Sequence, residues 1–182
     1  MCKITLIVLL LISLDINALH GQKEYSRKEV INILSDNIRI HKKENILWRK
    51  AQKDTLLLKD YKEYCLLDSL NLIDEKYKLH KVYNDAARYI INYSDSTILQ
   101  LYFNLLSESE NSADEHLRYV TGKIIVQKPD MIFTMFNKQE KKKKKIIYIE
   151  LLRGLEDIKY HKPDEVKYQK AKNMLNKINP NK

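Results

Sequence analysis

Two carboxylates and one amine are the residues whose type and spacing best suit chemistry. Asp130 opens an apolar run at 131–136, and Glu150 lies near the end of a second run at 146–152. Both runs are rich in aromatic or β-branched residues, and the polar stretch 137–145 separates them. That pattern reads as a β-hairpin with a long loop. With Phe136 opposite Ile146, Glu150 faces Ile132. Asp130 has the parity of Ile132, so Asp130 and Glu150 project on one face as diagonal neighbours. Two carboxylates in that relation can share Mg²⁺ or Mn²⁺, hard cations that take oxygen ligands. A metal-bound water could then attack a phosphodiester. Glu150 also calls for a partner on its own account, since a carboxylate inside Ile-Ile-Tyr-Ile-Glu-Leu-Leu is costly to bury unpaired. Lys167 is the third member. At about 100° per residue it falls within the apolar stripe of Tyr168, Ala171, Met174, Leu175 and Ile178, pointing toward the hairpin. The plainer reading of Lys167 is a lysine that buries its stem at the edge of a packed helix.

The elements that must hold these residues divide the chain in two. Its 182 residues suit one domain, or one domain plus a tail, and three Gly and three Pro exclude collagen-like and low-complexity chains. Residues 26–110 read as helical. Ser26 with Glu29 three positions on has capping-box spacing, and Val30, Ile33, Leu34 and Ile38 mark one face. The spacing predicts a helix over 74–93, with Leu79, Val82, Tyr83, Ala86, Ile90 and Tyr93 in a stripe, and a shorter one over 96–106. Residues 46–72 are helix-rich with a break near 68–71, and 107–114 form a polar loop. After Gly122 the period changes. Strands are expected at 123–127, 131–136 and 146–152, then a helix from Pro163 to Ile178, with Asp164 and Glu165 in its first turn. The expected fold class is α+β: a helical N-terminal half, then a small antiparallel β-hairpin or three-stranded sheet packed by a C-terminal helix. The corresponding boundaries are a helical region at 22–112 and an α/β region at 113–182.

The charge is distributed as unevenly as the pattern. The net charge is +9, from 33 basic and 24 acidic residues. Residues 1–122 carry 17 of each sign, whereas residues 123–182 carry 16 basic and 7 acidic. Lys141, Lys142, Lys143, Lys144 and Lys145 form an unbroken run within the basic part. A surplus confined to one region points to a polyanion partner. AT-rich coding, which also favours Asn, Ile and Tyr, produces the same surplus of Lys. Cys2 and Cys65 are the two cysteines. With Cys2 in a leader, neither an intramolecular disulfide nor a four-cysteine metal site can form. Residues 1–21 have the short basic start and eleven-residue apolar run of a signal peptide, too short to span a membrane. A genuine leader implies a secreted or secretory-pathway protein, and otherwise an intracellular or nuclear one. His80 and His116 have no second ligand at helical spacing. The tyrosines read as amphipathic packing residues rather than stacking platforms.

Lys128-Pro129-Asp130-Met131-Ile132-Phe133, the lysine run, Ile146-Ile147-Tyr148-Ile149-Glu150-Leu151 and Glu165-Val166-Lys167-Tyr168 occur in that order. This ordered set resembles the PD-(D/E)XK nuclease superfamily. More narrowly, it is similar to the region that follows the reverse transcriptase in some non-LTR retrotransposon polyproteins. The resemblance extends more loosely through Glu75-Lys76-Tyr77-Lys78-Leu79-His80 and Ala87-Arg88-Tyr89-Ile90. It implies a partial, degenerate retroelement-derived domain over 113–182: a metal-dependent DNA endonuclease where active, an inactive remnant otherwise. Asp130 and Glu150 would hold Mg²⁺ or Mn²⁺. Lys167 would orient the attacking water, replacing the family's lysine two residues after the acid, where this chain has Leu152. Lys141–Lys145 would track the phosphate backbone of the nucleic acid. The competing expectation is a secreted, basic, helix-rich protein without catalysis that binds acidic partners.

Overall fold

In the computed structural model, which describes residues 24–53, 57, 59–60, 62, 78–109 and 115–179, the first helix starts where its capping box predicts. The Ser26 hydroxyl accepts the Glu29 N–H, and the Glu29 carboxylate accepts the Ser26 N–H at 2.7 Å. Helix α1 spans Arg27–Gln52 and buries Val30, Ile33, Leu34 and Ile38, the expected face. Helix α2 (Leu79–Tyr93) buries Val82, Tyr83, Ala86 and Ile90, while Tyr93, expected in the same stripe, is exposed. Helix α3 (Ser96–Glu108) is capped by Asp95. Then follow α4 (Glu115–Gln127), α5 (Pro129–Asn137), α6 (Lys141–Lys159) and α7 (Glu165–Lys177). The leader at 1–21, Cys2, Cys65, the break near 68–71 and most of the polar loop lie outside the described residues.

Among the described residues there are seven helices and no strand, so the α+β expectation is corrected to all-α. Residues 123–127 end α4, 131–136 lie within α5, and 146–152 lie within α6. The physical reason differs for each helix. In α5, Pro129 takes the first helical position and Asp130 the first turn, both helix-start chemistry. Pro129, Ile132, Met135 and Phe136 then bury one side. In α6, a short apolar run carries no period of its own. Its burial pattern becomes helical only when extended: Ile147, Tyr148, Leu151, Leu155 and Ile158. The run looks uniform because α6 is packed by α3, α4 and α7. Lysine is also a good helix former, so the run at 141–145 extends α6 backward instead of forming a hairpin loop.

Helix α4 occupies the centre, touching α2, α5, α6 and α7, and its contact with α6 is the most extensive in the molecule. Two glycines set that approach. A Cβ on Gly154 would lie 2.9 Å from both the Arg118 carbonyl oxygen and the Gly122 nitrogen, and a Cβ on Gly122 would collide with the Gly154 carbonyl oxygen. α1 lies mainly against α3. One contiguous apolar core runs from Val30 to Ile178. Within it, the Asn37 amide donates to the Tyr83 hydroxyl at 3.0 Å, and the Tyr102 hydroxyl donates to the Leu117 carbonyl oxygen at 3.1 Å.

Candidate functional site

Helix α7 forms as its sequence predicts, with its start two residues later. Asp164 caps it by accepting the Lys167 N–H at 3.0 Å, and Tyr168, Ala171, Leu175 and Ile178 pack inward. Lys167, expected to face inward with them, is instead exposed, and its ammonium donates to Gln127 Oε1 at 3.0 Å. Asp130 sits in the first turn of α5 with its side chain 72% exposed, 2.6 Å from the Lys170 ammonium. Asp130 and Lys167 line the same cleft. Together with Gln127, Lys128 and Lys170 they line a cleft of about 310 Å³. A second cleft of about 730 Å³ shares Asp130 and Lys170 with it and runs past Val166 and Lys177.

Glu150 is not in that cleft. It is only 3% exposed, midway along α6, where Arg153 Nη1 donates to Oε1 at 2.6 Å. The strand parity that joined Asp130 to Glu150 disappears once both segments are helical. Asp130 then lies on the outer surface at the start of α5, and Glu150 lies in the buried face of α6. The buried carboxylate did need a partner, as its apolar context required, and the partner is an arginine one helical turn away. Among the described residues no group of three or more His, Cys, Asp or Glu side chains is arranged to hold a metal. His80 and His116, isolated in sequence, are brought to a ring-centroid separation of 5.8 Å by the packing of α2 on α4. The His116 Nε2 already lies 3.1 Å from the Asn84 amide nitrogen.

The lysine run occupies the first turn of α6, with no acidic residue in that turn and no side-chain cap from Glu140. Lys141, Lys142 and Lys145 are exposed. Lys143 and Lys144 are half-buried, and the Lys144 ammonium donates to the Asn137 carbonyl oxygen at 3.0 Å and lies 5.7 Å from the Phe136 ring centroid. No described carboxylate lies within ion-pair distance of these five lysines. The helix macrodipole opposes cations at this end, by about 0.3–1 kcal/mol each where exposed, and the lysines repel one another. Burial of Ile147, Leu151, Leu155 and Ile158 further along α6 holds the turn in place. Two further lysines, Lys128 and Lys170, line the cleft with Lys167 although their spacing did not single them out. Lys170 was legible as the i+3 neighbour of Lys167, whereas Lys128 is placed by tertiary structure.

Among the described residues the protein is all-helical, with one apolar core and two lysine clusters, one in the first turn of α6 and one lining the cleft beside Asp130. Comparison of the chain with protein-family models, curated proteins and solved structures finds no match. No helix among the described residues is long and apolar enough to cross a membrane.

Proposed function

We propose that the chain is a non-catalytic basic protein that binds the phosphate backbone of nucleic acid through Lys141–Lys145. The observation carrying this reading is a five-lysine turn, held by a packed helix, with no described carboxylate to neutralise it. A turn that bears an electrostatic cost of this kind is relieved by a polyanion, which supplies the missing negative charge and releases counterions. The excess of basic residues over 123–182 supports the same reading. Recognition of this type follows phosphate rather than base sequence.

Fluorescence anisotropy with a labelled DNA duplex, at several salt concentrations, tests the proposal. The K141Q/K142Q/K145Q variant is expected to bind more weakly on every sequence, with a log–log salt slope lower by about 0.9 for each phosphate no longer neutralised. Its melting temperature should rise, because adverse charges leave the start of α6. Wild-type protein that shows no salt-dependent binding at low ionic strength sinks the reading. Plasmid nicking in Mn²⁺ that Asp130→Ala abolishes would replace it with the endonuclease reading.

A further inference from the structure

The second basic cluster stands at the opposite end of α5 from the first. At the start of the helix, Lys170 lies 2.6 Å from Asp130 Oδ2, with Lys167 and Lys128 in the same cleft. At its end, the Lys144 ammonium lies 3.0 Å from the Asn137 carbonyl oxygen, among the other lysines of α6. Between them α5 turns Asp130, Thr134 and Asn137 outward, while Ile132, Met135 and Phe136 pack inward. Seven residues at the α-helical rise place the two clusters about 10 Å apart. Each strand of a duplex advances about 3.4 Å per nucleotide along the helix axis; a single strand extends further per nucleotide, so that distance corresponds to at most about three nucleotides.

We infer that a nucleic-acid strand lies along the outer side of α5, one phosphate held by Lys167 and Lys170 in the cleft and another, at most about three nucleotides on, held at the lysine turn of α6. The inference rests on the phosphate-binding reading above and adds to it a second site, a direction and a minimum length. It also gives Asp130 a role. Asp130 is the one carboxylate that α5 carries, and it occupies Lys170 while the surface is empty. An incoming phosphate takes over that ammonium and is repelled by the carboxylate it displaces. Asp130 therefore weakens binding at the cleft.

Anisotropy of the full chain with labelled oligothymidylates of two, three, four, six and eight nucleotides at low salt tests this directly. Affinity should rise about tenfold or more between two and six nucleotides, the range in which an oligomer first carries phosphates far enough apart to reach both clusters, because the second contact is then intramolecular. Longer oligomers should gain only gradually. K167Q/K170Q should remove the step and lower the salt slope by about 0.7 for each phosphate of a single strand that it ceases to hold, with dinucleotides retaining only the sites at the lysine turn. Both side chains are exposed, so the variant should melt as wild type does, since exposed pairs contribute little. Asp130→Asn should bind four-nucleotide and longer oligomers more tightly. A smooth length dependence, or a step that survives K167Q/K170Q, overturns the inference while leaving the lysine-turn reading in place. Weaker binding by Asp130→Asn overturns it as well. Failure of every length to bind overturns the underlying reading itself.

Discussion

Asp95 shows how much one side chain can join. Its carboxylate caps α3 by accepting the Thr97 and Ile98 N–H groups, each at 3.0 Å, and it meets the Arg27 guanidinium at the start of α1. The Arg27 hydrogen bond is the main cause holding its pKa below the ordinary carboxylate value; the two backbone donors add to this and partial burial opposes it. A depressed carboxyl contributes stability that is present above its unfolded pKa, about 4, and lost as pH falls through the folded value. Asp95→Ala is therefore expected to cost about 1–2 kcal/mol at pH 7, with the difference from wild type shrinking as the pH is lowered below about 4. Urea unfolding at pH 7, 5 and 3 measures this, and a difference that stays constant to pH 3 would exclude an ionic origin. Glu150 is a second case, because its carboxylate is buried and accepts a hydrogen bond from Arg153. Arg153→Ala removes a charge-assisted hydrogen bond from a buried carboxylate and should cost about 1.5–3 kcal/mol. Thermal melts with Mn²⁺ should show no shift that depends jointly on Asp130 and Glu150. A joint dependence would return the two residues to one site.

At the level of elements, the α4–α6 crossing reverses the usual effect of replacing a helical glycine. In an open helix interior Gly→Ala stabilises by about 0.5–1 kcal/mol. At Gly154 the new methyl would meet backbone on α4 at 2.9 Å, atoms that cannot rotate away. Gly154→Ala should cost about 2–3 kcal/mol through overpacking, lowering the melting temperature by about 5–10 °C for a chain of this size. Gly122→Ala should cost at least as much, since its Cβ meets the Gly154 carbonyl. Differential scanning fluorimetry of both variants decides it, and an unchanged or raised melting temperature would mean that the two helices are not in close contact. The same helices explain which elements were legible. α1, α2, α3 and α7 each keep one apolar stripe beside a polar face, and the 3.6-residue period is visible in their sequence. α5 is only nine residues long, and α6 is covered by three neighbours. Their apolar runs fit a strand as well as a buried helix.

For the whole molecule the uneven charge matters more than its total. The basic excess falls within residues 123–182, so on the reading proposed a polyanion should act as a stabilising ligand of the folded state. A short oligonucleotide at a hundredfold excess over its dissociation constant is expected to add about 2.7 kcal/mol by mass action, raising the melting temperature by about 5–10 °C. The shift should fade with added salt as screening and counterion competition remove the electrostatic part. Melts with and without oligonucleotide across a salt series measure it. A shift that persists at high salt would point to apolar or base-specific contacts instead.

Local chemistry was enough for some features of this protein. The Ser26–Glu29 capping box, the buried faces of α1 and α2, the Asp164–Lys167 start of α7 and the basic excess all rest on neighbours within about one helical turn, or on counting. The expected grouping is not the one the fold makes: Asp130 and Lys167 line one cleft, Lys170 rather than Lys167 meets Asp130, and Glu150 does not join them. That grouping depended on the secondary structure of two short apolar runs, which local patterning does not determine. Tertiary structure decided it, because burial of α6 on three sides and the close glycine crossing with α4 favour a long helix that fills the core. In that helix Glu150 turns inward to Arg153, while the five lysines form its exposed first turn.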